Sequence, residues 1–359
     1  MLTNLRQRFL ALPKRGRVAV LAAIAALLLV VSTSAWGLVA PDDDTIDAYL
    51  EQSGLKNRTE LRVGVLKDQP LLSYAEPQKR QSTRLADHSG FDVEIIRALA
   101  AYLGFTENSV RLIDTQVQNR GSDLSNDLVD VVVASFSMTP QREEEEVNFA
   151  GPYLTSKPEV LMRADDRSGE TISIYELGKR GERLCTVGAS TSDEALRRSG
   201  INNFIGVATG GECVDGLLRG KYDAFMLDDV VLAGYKADHA EQLKLVDLVL
   251  NQNEKWGIAV ANDDEPLRQV IGNFLLDSYE RRENGAWQRA WNRTLGRVLS
   301  DRRQPEPDPY QRLRDYRDRI QAQAQAQAPL HHGAGLAGSP PGRTPVVRAR
   351  SVRRSRRPR

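Results

Sequence analysis

A chain of 359 residues, 27% charged and 41% hydrophobic, is long enough for two domains and has the composition of a soluble globular protein. Two cysteines, Cys185 and Cys213, are too few for a disulfide scaffold and lack the CxxC pairing of a zinc site. Four histidines in no ligand spacing add nothing, so neither a metal nor a cofactor is expected. The net charge of +1 conceals five basic residues and no acid in 1–17 and eight arginines and no acid in 343–359, which leaves an acidic body between basic ends.

In chain order, residues 1–17 form a basic n-region, and Val18 to Val31 is an uninterrupted apolar run with no charge before Ala40. The 14-residue apolar core suits a signal peptide, with Thr33 and Ala35 at the cleavage site. The whole 23-residue stretch, 18–40, suits a membrane anchor with Trp36 at the far interface. Either reading starts on the cytoplasmic side and puts the chain from residue 41 onward outside. No cysteine comes after the run, which excludes a lipoprotein. Residues 41–57 read as a tether with one short helix. Within it Ser53-Gly54-Leu55-Lys56 matches a serine–lysine pattern without its partner motifs and is expected outside the fold.

Leu61 to Leu66 alternates as a first strand, and Asp68-Gln69-Pro70 turns at its carboxyl end, where open α/β sheets bind ligands. Gly90-Phe91-Asp92-Val93-Glu94 opens an amphipathic helix closed by Gly104, with Asp92 as its expected cap. Val110 to Ile113 is a strand, followed by Gln118-Asn119-Arg120.

The stretch from Leu128 to Glu146 carries the strongest signal. Val129 to Ala134 is a β-branched run suited to a strand buried on both faces, and it ends at three hydroxyls, Ser135, Ser137 and Thr139. Thr139-Pro140 reads as an N-cap with proline in the first helical position, and Glu143 to Glu146 suit the positive end of the helix dipole. Arg142 has the wrong sign for that position. An anion bound by the guanidinium, the neighbouring N–H groups and the serine hydroxyls would compensate it, and a carboxylate ligand fits. Alternatively Arg142 pairs with Glu145 or Glu146, in the weaker orientation, for about 0.2–0.5 kcal/mol.

Ser137-Met138-Thr139-Pro140-Gln141-Arg142, followed by Val147-Asn148-Phe149-Ala150-Gly151-Pro152-Tyr153, resembles the signature of the family 3 bacterial extracellular solute-binding proteins, which deliver polar amino acids to ABC importers. The resemblance implies an α/β fold of the periplasmic-binding-protein type II, two α/β lobes joined by a two-strand hinge. It assigns Arg142, with Ser137, to the ligand α-carboxylate, and Ser135 belongs to the same hydroxyl cluster. The pair Asn119-Arg120 occurs in the glutamate- and aspartate-binding branch, where the arginine reaches the ligand side chain; a surface arginine is the alternative. Leu71 and Leu72 stand where many relatives place an aromatic residue over the ligand.

Glu159 to Arg163 should be a strand of the second lobe. Leu184 to Glu194 then reads as strand, loop and helix start, similar to the family's glycine-serine-threonine loop, which implies that Ser190 and Thr191 grip the carboxylate from the second lobe. Ala189 replaces the usual glycine, and Ser190 or Ser192 is equally suited to cap the helix. Tyr222 to Leu227 is a strand ending at Asp228-Asp229, of which one can cap the next helix while the other meets a cation. The resemblance assigns Asp228 to the ligand α-ammonium and Asp229 to the cap. It also implies a disulfide between Cys185 and Cys213, against two buried thiols. Trp256 to Val260 returns to the first lobe, and Trp287 and Trp291 are core.

The resemblance spans residues 58–298: lobe 1 is 58–155 plus 256–298 and lobe 2 is 156–255. Beyond it, 299–328 reads as a charged helix and a QA repeat, broken from the fold at Pro305 to Pro309. Residues 329–359 are a disordered arginine-rich tail, suited to anionic lipid or cell-wall polymer or to solubility alone. The expectation is a monomeric binding protein at the outer face of the cytoplasmic membrane, serving an ABC permease and ATPase. Glutamate is the first ligand, glutamine or aspartate next, and closure depends on a zwitterion bridging Asp228 and Arg142. The alternatives are the ligand-sensing module of a signalling system and a cyclohexadienyl dehydratase-like enzyme, for which no acid–base pair stands apart from the binding residues.

Overall fold

The computed structural model describes residues 43–145, 147–179, 183–250, 253–299 and 302–308. The apolar segment 18–40, the QA repeat and the arginine-rich tail lie outside the described residues. Among the described residues no helix is long and apolar enough to cross a membrane.

In chain order the strands are β1 (Leu61–Val65), β2 (Asp68–Gln69), β3 (Ser73–Tyr74), β4 (Val110–Asp114), β5 (Val131–Ser137), β6 (Asn148–Ser156), β7 (Pro158–Arg163), β8 (Thr171–Ser173), β9 (Leu184–Val187), β10 (Phe204–Val207), β11 (Ala224–Asp228), β12 (Leu243–Val249) and β13 (Glu254–Val260). The first lobe is built on a sheet in the order β4-β1-β5-β13-β6, where β1 runs parallel to β4 and β5, and β13 runs antiparallel to β5 and β6. The second is built on β10-β9-β11-β7-β12-β8, again of mixed direction. The chain passes between the sheets at Lys157 and again between β12 and β13. Ser156 and Glu254 are cross-strand partners there, so the two crossings form a two-strand hinge.

Every residue of β5 is buried, as a run of β-branched side chains covered on both faces should be. Its pairing with β13 is irregular: the register moves from Phe136 opposite Gly257 to Val132 opposite Ala259, and Ser135 takes a left-handed φ of 44°. A bulge of this kind turns backbone carbonyls out of the ladder and re-aims the strand end. On the far side of the sheet Trp287 stacks on Trp291 at 5.0 Å and donates its indole N–H to Tyr153 O at 2.6 Å, so both tryptophans are core.

Several expectations need correction. Gly90 occupies the N-cap of helix Phe91–Tyr102 at φ 122°, where a Cβ would lie 2.3 Å from Leu72 O. Asp92 is therefore not the cap; it is wholly buried at the second helical position and accepts from Tyr153 Oη at 3.2 Å, and its burial pushes its carboxyl up to about 7. The segment before β1 is part of the fold. Helix Asp43–Gln52 packs on helix Glu265–Glu280, and Ile46, Tyr49, Leu50 and Leu55 join the core, so Ser53 to Lys56 does not lie outside it. Apolar spacing in the short helix explains why: it has a face to bury.

Nor does the fold stop at 298. Ser278 Oγ donates to Gln304 Oε1 at 2.9 Å, Gln304 Nε2 to Leu275 O at 2.8 Å, and Asp308 N to Gly151 O at 2.7 Å. The prolines keep this segment extended while its polar groups tie it to the first lobe. Cys185 and Cys213 form a disulfide with Cα atoms 5.7 Å apart, closing a loop across 28 residues in the second lobe. A loop of that length contributes about 3–4 kcal/mol in the chain-entropy account.

Candidate functional site

The end of β5, the loop after β1, the start of helix Thr191–Arg198 and the end of β11 converge on one cleft at the hinge. Gln69, Val117, Arg120, Ser135, Ser137, Arg142, Val187, Ser190, Thr191, Leu227, Asp228 and Val231 line it. All seven expected binding residues are thus brought together. The open space left among them is about 20 Å³, room for about one water, so anything larger enters only when the lobes separate.

Two guanidinium groups form one side. Arg142, 8% exposed, follows the expected Thr139 cap in helix Pro140–Glu145 and donates to Ser137 O at 2.9 Å and to Ala189 O of the second lobe at 3.5 Å. Arg120 is 3% exposed, so it is not a surface arginine. Its Nε donates to Val117 O at 3.0 Å, and its Nη1 to Ala134 O at 3.0 Å and Ser135 O at 3.1 Å. Those last two carbonyls belong to the irregular stretch of β5 between Val132 and Phe136, so Arg120 satisfies backbone there as well as lining the cleft. The Phe136 ring lies 4.0 Å from the Arg120 guanidinium carbon and 5.0 Å from that of Arg142. Its π-face offsets part of the mutual repulsion of the two cations.

The opposite side is an acceptor surface. Asp228 is 6% exposed and its Oδ1 has no hydrogen-bond partner among the described residues; neither has Gln69 Oε1, whose amide nitrogen donates to Ser135 Oγ at 3.2 Å. Burial, then the neighbouring carboxylates of Glu254 and Asp229, hold the Asp228 carboxyl well above the usual carboxylate range. A cation placed beside it would offset all three causes. Asp228 occupies the N-cap position of helix Asp229–Asp238 without a side-chain capping bond. Asp229, expected as the cap, is the first residue of that helix and accepts from the first-turn Val230 N at 2.8 Å; it also serves the hinge, accepting from Ser156 Oγ at 2.8 Å and Lys157 N at 3.2 Å and pairing with Arg302.

Ser137 and Thr191, expected to donate to a ligand carboxylate, both donate to Glu254 Oε2 instead, at 2.5 and 2.8 Å. Glu254 starts β13 at the hinge, between the two hydroxyls, which is the physical reason. Ser190 caps its helix, accepting from Asp193 N at 3.1 Å, and Ala189 takes the left-handed φ of 59° that a glycine would occupy without strain. The lobes also meet through the chain's own groups. Tyr235 Oη donates to Asp68 O at 2.8 Å, Gly211 N to Asp68 Oδ2 at 3.2 Å, and a Cβ on Gly234 would lie 2.1 Å from Pro70 O. Closure therefore has contacts of its own besides any ligand bridge.

Gln69 and Glu254 were missed by sequence reasoning. Gln69 sits in the turn already marked as the ligand end of β1 and could have been found. Glu254 comes after a polar run in the sequence, Asn251-Gln252-Asn253, with no motif.

The model of the bacterial extracellular solute-binding proteins, family 3, matches residues 61–303. The glutamate-binding protein GluB of Corynebacterium efficiens is 28% identical over 247 residues, covering 65% of this chain and 78% of its own. The glutamine-binding protein of Geobacillus stearothermophilus is 26% identical over 220 residues, covering 61% and 79%. Among solved structures, the cysteine-binding protein from Campylobacter jejuni superposes with a TM-score of 0.59 at 22% identity, over 72% of this chain and 95% of that one, which supports the fold.

Proposed function

The chain belongs to the bacterial extracellular solute-binding proteins, family 3, and from that premise we propose that it captures a polar α-amino acid outside the cytoplasm and delivers it to an ABC permease and its ATPase. The observation that carries this reading is the division of the cleft: two guanidinium groups on one side, and a buried carboxylate oxygen without a partner among the described residues on the other. That is the charge pattern of a zwitterion, with Arg142 taking the α-carboxylate and Asp228 the α-ammonium. Residues 18–40 hold the protein at the outer face of the cytoplasmic membrane or are cleaved on export. Relatives named for glutamate and for glutamine bracket the ligand. Arg120 is the ground for an acidic side chain, and its three bonds to backbone carbonyls weigh against it.

Calorimetric titration of the full chain with glutamate, aspartate, glutamine and arginine tests the reading, repeated with Arg142→Ala and Asp228→Ala. Binding of at least one amino acid, lost in both variants, is the expected result. Binding that survives either substitution would move the site elsewhere.

A further inference from the structure

Glu254, bonded to two hydroxyls that line the cleft, is an acidic group to which the family resemblance assigns no role. It is 5% exposed and receives the hydroxyl protons of Ser137 from the first lobe and Thr191 from the second on a single oxygen, at 2.5 and 2.8 Å. A hydroxyl has one proton. With both protons directed at Glu254, Ser137 and Thr191 turn lone pairs to the cleft and cannot donate to a carboxylate there. Together with Gln69 Oε1 and Asp228 Oδ1 they give the lining of the cleft, from both lobes, acceptors suited to N–H donors.

Charge leads to the same conclusion. Arg120, Arg142 and Asp228 line the cleft, and Glu254 lies behind its hydroxyls, near enough to act on Asp228, while Asp229 is paired with Arg302. Without Glu254 the cleft would carry one surplus positive charge, the complement of an acidic amino acid. With Glu254, and with Asp228 ionised against a bound ammonium, the charges balance and the surplus disappears. Arg120 could still have recognised a side-chain carboxylate through its fork, but three of its five donors, the Nε one and both on Nη1, are drawn to the Val117, Ala134 and Ser135 carbonyls.

We infer that Glu254 is a specificity-determining residue, through which the cleft selects a net-neutral amino acid whose side chain donates hydrogen bonds, of the amide type, over an acidic one. The inference rests on the amino-acid-binding reading above and sharpens its ligand class. Glu254 acts by setting the charge of the cleft and the direction of two hydroxyls; its carboxylate need not touch the ligand.

The test is titration of the full chain, and of its Glu254→Gln and Glu254→Asp variants, with glutamine, cysteine and serine as neutral ligands, glutamate and aspartate as acidic ones, and arginine as a cationic one. The wild-type chain is expected to bind a neutral ligand, glutamine foremost, at least about tenfold more tightly than either acidic one. Glu254→Gln keeps the shape and removes the charge, so it should tighten glutamate about tenfold while glutamine changes less. Glu254→Asp keeps the charge and should preserve the wild-type order. An acidic or cationic ligand bound most tightly by the wild type overturns the inference. So does a Glu254→Gln variant that shifts glutamine and glutamate by one common factor, because a merely structural role would do that. Binding of none of the six overturns the amino-acid reading itself, and the inference with it. Cooperative thermal unfolding of both variants near the wild-type midpoint separates these outcomes from misfolding.

Discussion

The two sides of the cleft are prepared for a ligand in opposite ways. On the cationic side, Arg142 and Arg120 are held in place by backbone carbonyls and by the Phe136 ring before anything binds. On the acceptor side, Asp228 Oδ1 and Gln69 Oε1 are buried without hydrogen-bond partners among the described residues. The first arrangement lowers the entropic cost of orienting long side chains at the moment of binding. The second leaves the unliganded protein with a desolvation penalty of roughly 1–3 kcal/mol per unmatched polar group, released when N–H donors arrive. One side supplies geometry and the other supplies differential affinity for the liganded state.

The largest expected effect breaks the cationic side. Arg142→Ala removes the guanidinium and should weaken binding by about 2–5 kcal/mol, read by titration, with little change in fold stability. Next comes Asp228→Asn, which separates the two sides most clearly because its two effects have opposite signs. Ligand affinity should fall by about 2 kcal/mol, while the unliganded protein gains about 1 kcal/mol in chemical denaturation, since a buried carboxylate with an unmatched oxygen is replaced by a neutral group.

The same logic has a pH signature. A carboxyl whose folded pKa is raised binds its proton in the native state at pH values where the unfolded chain has lost it, so stability falls as pH rises from the unfolded value through the folded one. Both Asp228, raised by burial and by Glu254, and Asp92, raised to about 7, act in that direction. The unliganded protein should therefore lose stability between about pH 4 and 7, and Asp92→Asn should flatten that slope without affecting binding; an unchanged slope would remove Asp92 as its source.

A smaller effect sharpens the comparison at its join. Ser137→Ala and Thr191→Val each remove one donor from Glu254, and about 1 kcal/mol of stability is expected for each, with a subadditive double variant because both bonds end on one oxygen. Smallest is Arg302→Ala. The pair with buried Asp229 is lost, but Arg302 is partly exposed, so about 0.5–1 kcal/mol should appear as a lower unfolding midpoint.

Sequence alone made much of this legible, and the parts it made legible are local. The β-branched run into Ser135 and Ser137, the Thr139-Pro140 cap and the strand ending at Asp228 are written in neighbouring residues, and each element stands where its own propensity puts it. What stayed hidden depends on distant partners. The β5 bulge arises from register against β13, and two of the three backbone carbonyls that hold Arg120 lie in it. Glu254 lies 117 positions from Ser137, and no spacing rule links a hinge glutamate to a serine on another strand. The docked segments at 43–57 and 302–308 were hidden for a different reason. Their polar composition resembles a linker, and a few buried side chains and hydrogen bonds are enough to hold each to the first lobe.

The measurement that tests the central claim most directly is titration of the full chain with glutamine and glutamate beside their N-acetyl and α-carboxamide derivatives. A cleft that reads a zwitterion between Arg142 and Asp228 should lose at least about a hundredfold in affinity when either the ammonium or the carboxylate is blocked. Derivatives that bind as tightly as the parent amino acid would contradict the account, because neither charged pole of the cleft would then be in use.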